Sequence, residues 1–178
     1  MKRFILAAVA TVLVFAGAVV LEEPVSAQTT SDTIKQINTE CNAIQDAILA
    51  LHPIHVAFRS GKWDVLSDAD YTVAMQTKAS ITFADVYRQG SKYAWVHAHS
   101  FDSQGNQRAT QLCFRQSNGT LERARQATTV PDLAADSAQQ AYFLSNGTLI
   151  QKSSLFEMND PLLAKTIQSL PFYSVLPK

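Results

Sequence analysis

The sequence lacks the features that define several large classes of protein. Its six glycines form neither a Gly-rich phosphate loop nor a dinucleotide-binding fingerprint, and no Gly-x-Ser-x-Gly element marks a nucleophilic serine. Lysine plus arginine and aspartate plus glutamate both total 15, so no basic excess favours a nucleic-acid partner. Linkers and low-complexity tracts are also missing. We therefore expect one domain that is not a nucleotide-dependent enzyme and binds no nucleic acid.

The chain begins with a targeting pattern. Lys2 and Arg3 precede an uncharged apolar run over residues 4–21, and Val25 and Ala27 fit the small-residue pattern of a cleavage site. This predicts a signal peptide over 1–27 and a single mature domain over 28–178, in the periplasm or secreted. We expect no stable membrane insertion after cleavage. The alternative is a membrane anchor, because the apolar run is long enough to span a bilayer.

The chain has only two cysteines, Cys41 and Cys113. An even number in an exported chain favours a disulfide, and a closed loop of this length stabilises a fold by about 4 kcal/mol at most in the loop-entropy model. The alternative is a pair of buried free thiols.

Two sequence periods predict the fold. Residues 31–51 carry apolar side chains at helical spacing and end before Pro53, whereas 92–101 alternates with the period of a strand. Asn118-Gly119 and Asn146-Gly147 are hairpin turns. Asn159-Asp160-Pro161 indicates the start of a short C-terminal helix. Residues 63–78 fit helix or strand, and we favour strand. The prediction is an α+β fold with a long N-terminal helix packed on a curved antiparallel meander of five to six strands, and a short C-terminal helix.

All four histidines fall in two close pairs. One pair is His52-x-x-His55, beyond the predicted helix, and the other is His97-x-His99, on one face of the predicted strand. If the helix end meets this strand, four imidazoles converge on zinc or copper. Asp85 and Asp102 are possible added ligands. The alternative is that His97 and His99 are half-buried strand residues with ordinary hydrogen-bond partners.

The same strand carries three aromatic residues that period-two alternation places on one face. Tyr93, Trp95 and Phe101 can line a cleft for an apolar or aromatic ligand, or they can be ordinary core residues. We predict no catalytic residue and no cofactor. The favoured function is a non-enzymatic binding module for a small apolar ligand or a protein partner. The alternative is a histidine-based zinc- or copper-binding protein, with metal-dependent hydrolysis as an extension.

Overall fold

The structure is a computed structural model that describes residues 29–77, 82–101, 106–128, 133 and 138–178. The predicted signal peptide lies outside these residues, as does Asp102. Within the described ranges, no helix combines the length and the apolar character needed to cross a membrane.

The fold is α+β, as predicted, and the described ranges contain two α-helices and eight strands. Helix α1 spans Thr30–Ile48 and helix α2 spans Asp68–Thr77. The strands are β1 Ile54–Arg59, β2 Lys62–Val65, β3 Thr82–Gln89, β4 Lys92–Phe101, β5 Gln107–Phe114, β6 Leu121–Ala127, β7 Gln139–Phe143 and β8 Leu149–Lys152. All eight form one antiparallel sheet in the order β2-β1-β3-β4-β5-β6-β7-β8. The sheet is therefore a long meander with a hairpin added at one edge.

Helix α1 covers part of one face of the sheet. Thr29 caps it by accepting a hydrogen bond from the Asp32 backbone N–H at 3.2 Å. Its apolar stripe packs against Trp95, Cys113 and Tyr142. The stripe consists of Ile37, Cys41, Ile44 and Ile48. The predicted disulfide is confirmed, because Cys41 and Cys113 are bonded directly beneath this helix.

Helix α2 covers a second part of the same face. Tyr71, Ala74 and Met75 pack against a small cluster that includes Phe83 and Phe101. The preference for strand over residues 63–78 was therefore wrong beyond Val65. Ser67 starts the helix, since its hydroxyl oxygen accepts from the Asp70 backbone N–H at 3.2 Å.

The opposite face of the sheet is covered by the C-terminal segment rather than by a helix. Between 153 and 178 the chain forms two short 3-10 turns, Ile167–Ser169 and Tyr173–Val175. The prediction of a C-terminal α-helix was wrong: Asp160 Oδ1 accepts from the Leu162 backbone N–H at 2.9 Å, as a helix cap does, but only a turn follows. One carboxylate oxygen of Asp160 accepts from Thr110 at 2.9 Å and from Gln126 at 3.1 Å. The core on this face contains Phe114, Phe143, Phe156, Leu170 and Phe172, among others.

The sheet has eight strands instead of the predicted five to six. The difference includes the β1–β2 hairpin, which turns at Ser60 and Gly61. Both residues have positive φ, 51° and 81°, as a type I′ turn requires. An Asn-Gly pair in a sequence strongly predicts such a turn, whereas the Ser60-Gly61 pair found here predicts it only weakly.

Candidate functional site

A row of polar side chains crosses the sheet on the face that carries the two helices. Directly paired residues on neighbouring antiparallel strands project to the same side, so the register defines this row. The polar row consists of His55, Asp85, His97, Gln111, Arg125 and Gln140, on β1, β3, β4, β5, β6 and β7. His55, Asp85 and Gln111 are each less than 9% exposed.

Asp85 fixes the orientation of His55. Its Oδ1 lies 2.7 Å from His55 Nδ1, and its Oδ2 accepts a hydrogen bond from the Tyr71 hydroxyl at 3.0 Å. The Tyr71 ring stacks on the His55 imidazole with centroids 3.8 Å apart. Burial, followed by the charge of Asp85, raises the pKa of Tyr71, so its hydroxyl keeps the proton that it donates. His55 is thus held by a hydrogen bond at one edge and by an aromatic ring on one side.

Asp68 faces the free edge of His55. Its position as the first residue of α2 follows from the cap at Ser67 and from a backbone hydrogen bond of 2.8 Å between Leu66 N–H and the His55 carbonyl. Asp68 Oδ1 lies 3.1 Å from His52 Nε2 and 3.6 Å from His55 Nε2. The side chains of His52 and Asp68 are 72% and 67% exposed, so this cluster opens to solvent.

These distances fit a metal centre. The two imidazole nitrogens and one carboxylate oxygen lie within 4.8 Å of one another. Ligands bound tetrahedrally to zinc at about 2.1 Å are about 3.4 Å apart, which is close to both measured separations. A carboxylate on the far nitrogen of a metal-binding histidine is the usual outer partner, because it fixes the tautomer that leaves Nε2 free to bind. Asp85 has that position.

His97 and His99 do not join this cluster. Their rings are 4.4 Å apart, and Gln107 Nε2 lies 3.2 Å from His99 Nδ1. Within the described part of the chain, two groups of potential metal ligands have their ligand atoms within 4.8 Å of one another, and neither group includes His97 or His99. Burial lowers the pKa of His97 to about 4, with His99 adding to the effect, and burial also lowers the pKa of His99. The structure therefore does not bring the four predicted imidazoles onto one ion.

The three predicted ligand-binding aromatic residues are also separated. Tyr93 packs with the C-terminal segment, Trp95 lies beneath α1, and Phe101 lies in the small cluster beneath α2. Trp95 and Phe101 are six residues apart on β4, and Tyr93 is displaced by an irregularity, where Tyr87 pairs with Trp95 but Arg88 pairs with Tyr93, so that Ala94 has no partner. This extra residue turns Tyr93 to the opposite face, and the three rings do not line one cleft.

Sequence reasoning missed Asp68 and Tyr71 as members of the site. The sequence signal that could have found Asp68 is the helix-start pattern Ser67-Asp68-Ala69-Asp70. It predicts that the Asp68 carboxylate lies in the first turn of a helix. Asp85 was predicted as an added ligand, and the structure places it behind His55 instead.

The chain matches no family model, and comparison with curated proteins and with solved structures finds no significant similarity. Function must therefore be inferred from the chemistry of the residues themselves.

Proposed function

We propose that the protein is an exported, non-enzymatic binding protein for a divalent transition metal, zinc or copper, held by His52, His55 and Asp68. The observation that carries this proposal is the contact between His55 Nε2 and Asp68 Oδ1 at 3.6 Å. When His55 is neutral and donates Nδ1–H to Asp85, its Nε2 is an acceptor, and it faces another acceptor. A cation between the two atoms makes this arrangement favourable.

The ligand types support zinc or copper over calcium or magnesium. Imidazole nitrogen is a typical ligand of zinc and copper, whereas calcium and magnesium take oxygen ligands. Three protein ligands in an exposed cluster leave at least one coordination position for water or for a group from a partner. The proposal assigns no reaction to the site. The Cys41–Cys113 disulfide is consistent with an oxidising, extracytoplasmic compartment, which supports the exported location.

Zinc titration by calorimetry at neutral pH tests the site. We expect one equivalent to bind, and we expect His52→Gln, His55→Gln and Asp68→Asn each to weaken binding at least tenfold. Asp85→Asn should weaken it by about 10- to 100-fold, because the tautomer of His55 is no longer fixed. The matched control is Asp64→Asn, which alters another partly exposed carboxylate, 3.1 Å from Lys62. This control should bind zinc like the natural protein.

A proton is the competing cation. If it alone fills the position, added zinc does not change the imidazole 15N signals of His55. That result, or equal zinc affinity in Asp68→Asn and the natural protein, would refute the metal site. A mass spectrum of the exported protein tests the location separately, with a chain that begins at Gln28 as the expected result.

A further inference from the structure

A cavity of about 260 Å³ lies beside the C-terminal end of α1, over the strands β3, β4 and β5. Trp95 and Ile48 are among its apolar lining residues, and His97 and Gln111 are among its polar ones. The other lining residues are Gln45, Leu49, Tyr87 and Leu133. None of these belongs to the proposed metal cluster, so the cavity can be tested independently of it.

Two of the lining residues each carry a polar atom that has no hydrogen-bond partner among the described residues. The two atoms are His97 Nε2 and Gln111 Oε1, and both are buried. The two residues are directly paired across β4 and β5, so their side chains lie next to each other on one face. Buried polar atoms almost always have a partner, and leaving one without costs about 1–3 kcal/mol. A bound molecule that supplies hydrogen bonds would remove this cost.

The lining carries no lysine, arginine, aspartate or glutamate. Its one titratable imidazole is neutral at pH 7, since burial lowers the pKa of His97 to about 4. A charged ligand would lose its hydration here, and no lining residue would supply a counter-charge. The volume corresponds to about nine water molecules in the liquid, which is enough for one substituted ring.

We propose that this cavity binds a small, uncharged ring compound that bears a hydroxyl group. The ring lies against Trp95 and Ile48, and the hydroxyl donates to Gln111 Oε1. His97 Nε2 meets the same hydroxyl or a second polar substituent. Apolar walls with a few convergent polar groups are the usual composition of small-molecule sites.

Phenol, benzene and benzoate are matched probes for this proposal. The readout is the indole N–H signal of Trp95 in 15N-correlated spectra of the disulfide-bonded protein, assigned by comparison with Trp63→Phe. We expect saturable shifts with phenol at millimolar concentration and about tenfold weaker binding of benzene, which lacks the hydroxyl. Benzoate should not bind. No saturable shift with phenol, the result if the cavity holds only ordered water, would overturn the proposal, and so would equal binding of benzoate.

Gln111→Leu separates a binding role from a structural one. It removes the unpartnered acceptor, so we expect the unfolding midpoint to rise while phenol binding weakens about tenfold to the level of benzene. The control is Gln151→Leu, at an exposed glutamine on β8, which should leave phenol binding unchanged. A lower midpoint for Gln111→Leu with unchanged phenol binding would show that Gln111 has a structural role and would overturn the proposal.

Discussion

Glu122 is a buried carboxyl group whose ionisation works against folding. It is 1% exposed, and it lies beneath α1 with Oε2 3.9 Å from Cys41 Sγ. Arg115 is its nearest cation, with Nε 3.1 Å from Glu122 Oε1. Burial raises the pKa of Glu122 to about 7, and the attraction of Arg115 offsets this only in part. The perturbation that tests this reasoning is Glu122→Gln, which resembles the protonated carboxyl group.

The sign follows from proton binding. The folded state holds a proton on Glu122 up to about pH 7, whereas an unfolded chain releases it near the ordinary glutamate pKa of 4.5. Between these values the folded state binds more protons, so the contribution of Glu122 to stability falls as pH rises. The pKa difference predicts a loss of about 2–3 kcal/mol from pH 5 to pH 8. The Gln variant does not titrate, so it should gain this amount relative to the natural protein.

The assay is denaturant unfolding of the oxidised protein at several pH values from 5 to 8. The quantity to follow is the difference in unfolding free energy between Glu122→Gln and the natural protein, because other titrating groups cancel in it. Glu157→Gln is the control, since its carboxylate is 65% exposed and ion-paired with Arg108 at 2.7 Å. A Glu122→Gln difference that stays constant over this range would refute a raised pKa at Glu122.

Two further predictions concern the bridge and a turn. Replacing Cys41 and Cys113 by serine removes a link between residues 72 apart in sequence, and denaturant unfolding should show a loss of about 4 kcal/mol at most. A smaller loss of stability is compatible with the loop-entropy model, whereas an unchanged stability would contradict it. Gly119→Ala should destabilise the protein by about 1 kcal/mol more than Gly90→Ala. Both glycines have positive φ, but only at Gly119 would the new methyl group lie 3.1 Å from an Ile167 methyl carbon. Equal losses in thermal unfolding would contradict this packing argument.

The parts of the fold that follow from one residue period were predictable from the sequence. The stripe of Ile37, Cys41, Ile44 and Ile48 specifies which side of α1 is buried, whatever the helix packs on. Once Cys41 is bonded to Cys113, the face of β5 beneath the helix is fixed too. The predicted bounds 92–101 match β4, because ten alternating residues are flanked by turn residues at both ends.

Register was not predictable, because it depends on loop length and on bulges rather than on alternation. A two-residue turn at Asn118-Gly119 would pair Cys113 with Ala124. The loop is longer, with Arg115 O accepting from Gly119 N–H at 2.8 Å, and Cys113 pairs with Arg123 instead. A shift of one residue exchanges the faces of a strand. Arg123 therefore lies under α1, where it donates to Asn38 and Asn42, and Glu122 falls at the irregularity and is buried.

The candidate site also depends on strand register, which aligns residues that are far apart in the sequence. The row that includes Trp95, Cys113 and Tyr142 packs under α1, and the row that includes Phe83 lies in the cluster that α2 covers. The polar row lies between these two rows, at the seam between the helices. In the sequence His55, Asp85 and Gln111 are about 30 residues apart and only register aligns them. A sheet face that needed only to be covered would be apolar at this seam, since unpaired buried polar groups destabilise a fold. Two features of the row are the reason to propose ligand binding at this seam. One is a histidine held by a carboxylate at one end of the row. The other is a pair of unpartnered polar atoms in residues that line a cavity further along it.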